Sequence, residues 1–369
     1  MPDNEINRNT QLQYLPFEQE VARLDRDVAD LHRDTAENGT DNGARIRELL
    51  KLQARNLREL YDNLSPWQVV QVARHPQRPL LQDYLNYMAK DVRILHGDRC
   101  FGDDRAIITA LAHVGRERVL IVGQEKGRDT DQKIACNFGC PNPEGYRKAL
   151  AKMKLAEKFG LPIVTLIDTP GAFPGIGAEE RGQAQAIAVN LMEMSRLKVP
   201  IICIVIGEGG SGGALGIGVG DRLAILENAY YSVISPEGCA GILWHDGSQA
   251  SAAAEALKLT GKQLLKLGLV DAVIPEALGG AHRNVHDTIY NVEQYIVKTL
   301  RELKRTKIEN LLASRYKRLR AIGSEQQKVL HKVQVADKAK PKIPDRLSAA
   351  AQLEEARKLA EESIIEIEN

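Results

Sequence analysis

The residues best suited to chemistry form a glycine-rich string, Gly207-Glu-Gly-Gly-Ser-Gly-Gly213, directly after an apolar run. Glycine has no Cβ, so a turn of this composition can expose successive backbone amide hydrogens to a developing anion such as an enolate. The string also fits the GxGxxG spacing of a dinucleotide-binding turn, with Glu227 twenty residues after Gly207. A third interpretation is structural, in which Gly216, Gly218 and Gly220 only let a helix pack tightly on its neighbours. The string alone does not decide among the three.

Two other strings near these glycines suggest chemistry that the rest of the sequence does not support. Asp168-Thr-Pro-Gly171 matches the DxxG of a GTPase, but a phosphate loop also needs lysine and then serine or threonine after its last glycine. Here Gly212 is followed by Gly213. Ser211 as a nucleophile would require a histidine and an acid that the sequence cannot place beside it, so we expect Ser211 to shape the turn.

Charged and metal-ligating residues elsewhere give weaker signals. The loop Lys126-Gly-Arg-Asp-Thr130 can present the cations of Lys126 and Arg128 to phosphates or carboxylates, or it is simply a solvated turn. Cys136 and Cys140 lack the CxxC spacing of a zinc site, and no metal is expected. His113, His245 and His282 are isolated in sequence and are interpreted as structural.

Short apolar runs rich in β-branched residues predict the strands that must hold these turns. They alternate with helical stretches from Pro143 to Phe159 and from Glu179 to Leu197. Strand, glycine turn and helix therefore follow one another as in an α/β protein. The predicted strands are Ile107–Leu111, Arg118–Val122, Ile163–Ile167, Ile201–Ile206 and Leu223–Leu226.

An internal repeat links the two glycine turns. The segments Pro162–Gly175 and Pro200–Gly213 place a proline, an apolar strand and two glycines at the same offsets, 38 residues apart (200 − 162). Repeated strand-turn-helix units stack into a wound sheet or a superhelix, with each turn at the same end of its strand. The repeat therefore predicts that one structural unit is used twice, with the amides of a helix start at one end of each strand.

Helical segments flank this core on both sides. Apolar residues at helical spacing on either side of the polar stretch 38–43 predict a helical hairpin, and the chain becomes helical and charged again after Ala281. We therefore divide the sequence into a helical arm (1–90), a core (91–280), C-terminal helices (281–323) and a charged, flexible tail (324–369).

Composition excludes several classes of protein. The 50 lysines and arginines balance 49 acids, so no basic field indicates nucleic-acid binding. No apolar run reaches the roughly 18 residues of a membrane span, and no signal peptide is expected at the start. Five cysteines, an odd number in a chain of 369 residues, favour free thiols in a reducing compartment. We expect a cytoplasmic protein.

Seven strings in one order give the sequence a specific resemblance. It resembles the carboxyltransferase alpha subunits of bacterial-type acetyl-CoA carboxylase, from about Phe17 to about Gly323. One departure is visible, because the family commonly has His-Gln-Lys where this chain has Gln124-Glu125-Lys126. The strings are Gly-Arg-Asp-Thr130, Asn-Phe-Gly139, Pro-Glu-Gly-Tyr-Arg-Lys148, Asp-Thr-Pro-Gly171, Gly-Ala-Glu-Glu-Arg-Gly-Gln183, Gly-Glu-Gly-Gly-Ser-Gly-Gly213 and Tyr-Ser-Val-Ile-Ser-Pro-Glu-Gly-Cys239.

The resemblance implies a crotonase-like α/β fold, a ββα superhelix with an N-terminal helical hairpin and C-terminal helices. It also implies transfer of a carboxyl group from carboxybiotin on a carrier protein to acetyl-CoA, giving malonyl-CoA in the first committed step of fatty acid synthesis. The carboxylase reaction as a whole uses ATP. Covalent cofactors are not expected on this chain. Any zinc belongs to the beta carboxyltransferase subunit, because this chain lacks the CxxC pairs of a zinc ribbon.

The implied partners are that beta subunit in an alpha2beta2 heterotetramer, the biotin carboxyl carrier protein and biotin carboxylase, with activity only in the presence of the beta subunit. By the family pattern, the amides of Gly212 and Gly213 form an oxyanion site. Gly171 and Ala172 are a further candidate for the same cavity, and Lys126 and Arg128 are candidates for substrate binding. Which oxyanion the site holds, the biotin ureido oxygen or the thioester enolate, stays open.

Rival functions make different demands on the chain. A crotonase-like hydratase or isomerase would need its own carboxylate beside the glycine turn and would act as a single chain. A scaffold would tolerate mutation of the glycines. A dinucleotide-binding protein would bind its cofactor in isolation.

Overall fold

The structure is a computed structural model that describes residues 12–323. Within the described chain, residues 12–322 belong to one compact unit. The flexible tail expected over 324–369 lies outside the described residues, as does the polar start of the chain. The bounds of the arm and the core stay predictions of the sequence.

The described chain is rich in helices. They are α1 Gln19–Asn38, α2 Gly43–Asp62, α3 Pro66–Ala73, α4 Leu81–Met88, α5 Thr130–Ala135, α6 Pro143–Lys158, α7 Ile176–Glu180, α8 Gln183–Met194, α9 Ser211–Leu215, α10 Pro236–Trp244, α11 Ala250–Leu257, α12 Gly261–Lys266, α13 Val285–Leu303 and α14 Ile308–Ala321. The predicted hairpin is confirmed as α1 and α2, which pack through buried Val21, Leu24 and Leu49.

The strands form one mixed sheet in the order β1-β2-β3-β4-β5-β6-β8, with β7 paired to the end of β5. The first three are antiparallel neighbours and the rest pair in parallel. All five predicted strands are confirmed. The bounds are β1 Ala89–Ile94, β2 Ile107–Val114, β3 Glu117–Gln124, β4 Ile163–Thr169, β5 Ile201–Gly210, β6 Arg222–Leu226, β7 Tyr230–Ser232 and β8 Ala272–Ile274.

The period of the sequence repeat matches the register in which the two central strands pair. β4 and β5 lie side by side, and Ile163 pairs with Ile201 at the 38-residue offset of the repeat (201 − 163). The offset holds as far as Ile167 and then becomes 40 at Thr169, which pairs with Gly209 (209 − 169). Asp168 lies at this irregularity, where its carboxylate accepts the amide hydrogen of Glu208 at 2.8 Å. The repeat therefore brings its two turns to the same edge of the sheet.

One predicted helix is divided in the structure. The stretch from Glu179 to Leu197 was expected to be continuous, but α7 ends at Glu180 and α8 begins at Gln183. Gly182 between them has φ 82°, the left-handed conformation that glycine adopts without steric cost. The apolar spacing alone did not indicate this break.

The segment between the hairpin and the sheet is anchored by a buried arginine. Arg78 is 2% exposed, and its guanidinium pairs with the equally buried Glu276 while its Nε donates to the carbonyl of Ile206 in β5 at 2.8 Å. Glu276 also accepts from Asn228 and from the amide of Ala281. This pair joins the N-terminal segment to the central strand that ends in the glycine turn.

A buried histidine pair near this anchor predicts acid sensitivity. The rings of His75 and His282 stack with centroids 3.8 Å apart, and neither ring nitrogen of His282 has a hydrogen-bond partner among the described residues. Burial, helped by the nearby His75, Arg78 and Arg283, lowers the pKa of His282 to about 2. The imidazole therefore stays neutral in the folded state at pH values where the unfolded chain would be protonated.

We expect the free energy of unfolding to fall as the pH drops below about 6.5, because the unfolded state then binds a proton that folded His282 excludes. One such group contributes at most about 1.4 kcal/mol per pH unit. In His282→Phe, urea unfolding between pH 7 and pH 5 should show a smaller loss of stability than in the wild type. Equal losses in both proteins would contradict this assignment, and His286→Phe at the exposed neighbouring site serves as the control.

Candidate active site

The glycine turn after β5 packs directly on the turn after β4. A Cβ built on Gly213 would lie 2.4 Å from the carbonyl carbon of Gly171 and 2.5 Å from the amide nitrogen of Ala172, distances that real side chains do not show. A Cβ on Gly210 would lie 2.1 Å from the carbonyl oxygen of Pro170. The structure therefore brings together the four residues Gly171, Ala172, Gly212 and Gly213 that the sequence analysis selected. Glycine is required where the two backbones touch.

The turn ends at a short helix whose first amides are free of intrahelical partners. α9 begins at Ser211, so the amides of Gly212 and Gly213 lie in its first turn, where a helix offers N–H groups to an external acceptor. A Cβ on Gly212 would meet only Ile187 Cδ1, at 3.8 Å, so the space beside this residue is open. The arrangement suits an oxyanion that approaches the start of α9.

Ser211 has an unusual conformation at this turn. Its φ of 49° is left-handed, and its side chain is exposed between the end of β5 and the start of α9. The string Gly209-Gly-Ser-Gly-Gly213 also fits the GxSxG spacing of a nucleophile elbow, a motif that the sequence analysis missed. Among the described residues, however, no histidine is hydrogen-bonded to Ser211, so a serine-based triad is not formed.

The carbonyl of Gly213 is held from behind by two buried side chains. Gln124, at the end of β3, donates from Nε2 to this carbonyl at 2.8 Å and accepts the amide hydrogen of Asp168 at 3.0 Å. The hydroxyl of Tyr146 in α6 donates to the same carbonyl at 3.2 Å. Neither residue was selected as functional from the sequence, because nothing in its local pattern indicates a contact so distant along the chain.

Lys126 lies at the ends of β4 and β5, and 17% of its side chain is exposed. Its ammonium group is 2.7 Å from Asp168 Oδ1 and 2.7 Å from Glu208 Oε1. Burial opposes its charge, but the two carboxylates outweigh that effect and raise the pKa of Lys126. The sequence analysis placed Lys126 on an open polar loop, whereas the structure makes it the link between the β4 and β5 ends.

A second cation completes this charge network. Arg74, which directly follows α3, donates to Glu208 at 2.7 Å and to the hydroxyl of Tyr230 at 3.0 Å, and it also pairs with Glu237. Burial would raise the pKa of Glu208, but the charges of Lys126 and Arg74 lower it to about 2. Glu208 is therefore an ionised, fully paired carboxylate rather than a general acid or base. The sequence signal that could have indicated this role is the position of Glu208 between two glycines at the end of a predicted strand.

The other predicted cation points to a different place. Arg128 pairs with Asp83 of α4, and 46% of its side chain is exposed. Arg128 is therefore separate from the Lys126 network.

The segment before α6 has an unusual backbone next to Lys126. Three successive residues, Asn137, Phe138 and Gly139, are left-handed, with φ of 46°, 55° and 81°. Gly139 packs on Lys126, and Phe138 is 58% exposed.

Residues 12–323 contain no group of three or more His, Cys, Asp or Glu side chains arranged to hold a metal ion. In the same part of the chain, no helix combines the length and apolar character needed to cross a bilayer.

Comparison with known proteins decides the family. Residues 14–323 match the family model described as acetyl co-enzyme A carboxylase carboxyltransferase-like. The chain belongs to this family. A carboxyltransferase alpha subunit of acetyl-coenzyme A carboxylase from Rhodopirellula baltica is 53% identical over 309 residues, which are 84% of this chain and 97% of that protein. The Thermus thermophilus subunit of the same name is 51% identical over 310 residues, 84% and 98% of the two chains.

Solved structures place this carboxyltransferase family member in the crotonase-like fold, as the resemblance implied. A chain of a Pseudomonas malonate decarboxylase hetero-tetramer, crystallised with coenzyme A, superposes with a TM-score of 0.50 over 63% of this chain and 93% of that chain. The two sequences are 18% identical, so this likeness concerns the fold alone.

Proposed function

We propose that this chain is the alpha subunit of a carboxyltransferase that moves a carboxyl group from carboxybiotin to acetyl-CoA, giving malonyl-CoA, in the cytoplasm. The observation that supports this most directly is the turn at Gly212 and Gly213, packed on Gly171 and Ala172 in a chain that matches the family from residue 14 to residue 323. The turn is the part of the described chain best suited to holding an oxyanion.

Carboxybiotin, presented by a carrier protein, would supply carbon dioxide and a ureido oxygen basic enough to take the α-proton of the thioester. Both the ureido group and the enolate carry negative charge on oxygen, and backbone amides can stabilise such charge without a titrating side chain. Each donor in analogous sites lowers the barrier by roughly 3 kcal/mol. We assign the amides of Gly212 and Gly213 to one of these oxyanions, with Gly171 and Ala172 lining the same cavity.

The charge network below the turn supports this assignment. Asp168 and Glu208 lie close to the site, yet Lys126 and Arg74 neutralise them, so they add little repulsion toward an incoming anion. Of the two predicted substrate-binding cations, Arg128 keeps the exposure that a contact with substrate requires, whereas Lys126 is committed to its carboxylates. We therefore propose Arg128 as a substrate contact and Lys126 as part of the support.

The other half of the site is assigned to the beta carboxyltransferase subunit, together with any zinc. We propose the heterotetramer of the family, joined to the carrier protein and to biotin carboxylase, as the working assembly. This division explains why a carboxylate free to act as acid or base is missing from the residues we describe around the turn. An independent hydratase or isomerase would require one.

The test measures malonyl-CoA formation from acetyl-CoA and carboxybiotin with this chain alone, the cognate beta subunit alone and the two together. We expect activity only in the combined sample, because each subunit supplies one of two oxyanion sites. Turnover by the lone chain would support an independent enzyme. Hydration of an enoyl-CoA by the lone chain would identify the hydratase alternative directly.

A further inference from the structure

Gln124 is the buried side chain that joins the two turns of the repeat. It lies at the end of β3, is 0% exposed, and contacts the end of β4 through Asp168 and the turn after β5 through Gly213. The partners fix the orientation of the carboxamide. The Asp168 amide is only a donor and the Gly213 carbonyl only an acceptor, so a flipped carboxamide would face like groups on both sides.

We infer that Gln124 is a positioning residue for carboxyl transfer, which sets the orientation of the Gly212–Gly213 turn through the carbonyl of Gly213. This inference rests on the proposed function of that turn. Gln124 does not touch the substrate in this assignment. It acts because the rotation of the Gly213 peptide sets the orientation of the first residues of α9 relative to the turn after β4. A misplacement of about 1 Å in such a site can cost about 100-fold in rate.

The function of Gln124 requires a group that donates and accepts at the same time. Glutamic acid has the same shape and meets this requirement only when protonated, since the ionised form would turn a lone pair toward the Gly213 carbonyl. Neutral histidine also has one donor and one acceptor, but imidazolium would turn an N–H toward the Asp168 amide. Methionine has a similar length and provides neither bond.

The groups around Gln124 strengthen the expected behaviour of the glutamate variant. Gln124 is fully buried, so burial would disfavour the ionised form of a new carboxylate there, and Lys126 is already shared between Asp168 and Glu208. The titratable groups on neighbouring elements are Tyr146 on α6, Asp168 on β4, Glu208 on β5, Glu125 and Lys126 beyond β3, and Arg78, whose charge acts on Asp168.

The experiment uses the complex with the beta subunit and measures kcat and KM for acetyl-CoA from pH 6 to pH 9, each divided by the wild-type value. For Gln124→Met we expect kcat to fall about 10- to 100-fold at every pH, with KM changed less than about threefold. For Gln124→Glu the relative kcat should fall as the pH rises. For Gln124→His it should fall as the pH drops. Gln82→Met, at an exposed glutamine of α4, is the matched control.

Opposite pH dependences of the relative kcat in the glutamate and histidine variants would support the inference. A purely structural role would change thermal stability without giving the two variants opposite pH dependences of kcat. A kcat of Gln124→Met within about twofold of wild type would overturn it, as would pH-independent ratios for both ionisable variants. If the methionine variant does not assemble, Gln124→Glu at acidic pH, which keeps both hydrogen bonds, decides the question. Full activity of Gly213→Ala would instead reject the proposed site itself.

Discussion

Gly213→Ala should lower the rate of carboxyl transfer by at least about 100-fold in the assembled complex, the cost of losing an oxyanion donor. The added methyl group would lie 2.4 Å from the carbonyl carbon of Gly171 and 2.5 Å from the nitrogen of Ala172. Both atoms belong to the backbone, so the clash cannot be relieved by rotation of a side chain. The two turns must move apart, so the amides at the start of α9 no longer point at the position of the oxyanion.

The measurement is malonyl-CoA formation by the variant with its beta subunit, after gel filtration has shown that the complex is intact. Gly247→Ala is the control, because a Cβ there would meet no atom within 4 Å and the backbone does not have positive φ. We expect the control to match the wild type. Wild-type turnover by Gly213→Ala would show that the turn does not hold the reacting oxyanion.

The sequence predicted more of this site than its local motifs alone allow. The 38-residue repeat indicated one strand-turn-helix unit used twice, and β4 and β5 pair at that offset from Ile163 to Ile167. The family resemblance grouped Gly171 and Ala172 with Gly212 and Gly213. The strand assignments were reliable for a related reason, because β4 and β5 are buried along their whole length.

The supporting network was not predictable in the same way. Lys126 looked like an exposed cation because its neighbours in sequence are polar, but Asp168 and Glu208 approach it from β4 and β5. The counter-charges of this half-buried lysine come from strands that only the folded sheet brings near. Gln124 escaped notice for the same reason, since its partners lie 44 and 89 residues away along the chain.

Helical periodicity also concealed a buried charge in the last described helix. α14 contains Arg315 among exposed residues such as Tyr316 and Lys317, and its sequence gives no reason to separate one arginine from the others. The structure leaves Arg315 only 1% exposed. An arginine buried this deeply must find all its hydrogen-bond partners inside the protein. These partners lie between the end of α8 and the start of β5, and at Asp221 directly before β6.

The guanidinium of Arg315 is fully satisfied by one acid and three carbonyls. Nε and Nη2 each bind the carboxylate of Asp221 at 2.8 Å. The remaining hydrogens go to the backbone carbonyls of Met194, the last residue of α8, and of Leu197 and Val199, which follow that helix. Asp221 in turn accepts the amide hydrogen of Ile201, the first residue of β5. Arg315 thus attaches α14 to the strand that ends in the glycine turn.

Arg315→Met should destabilise the protein by about 3–5 kcal/mol, because removal of one partner leaves the buried carboxylate of Asp221 and three carbonyls without their donors. Urea unfolding of the isolated chain measures this loss, with Lys317→Met on the exposed side of α14 as the control. A loss below about 1 kcal/mol would mean that water replaces the guanidinium and that α14 is dispensable. Because Asp221 also fixes the first residue of β5, we expect Arg315→Met to lower carboxyl transfer as well, even though the guanidinium lies at the opposite end of that strand from the turn.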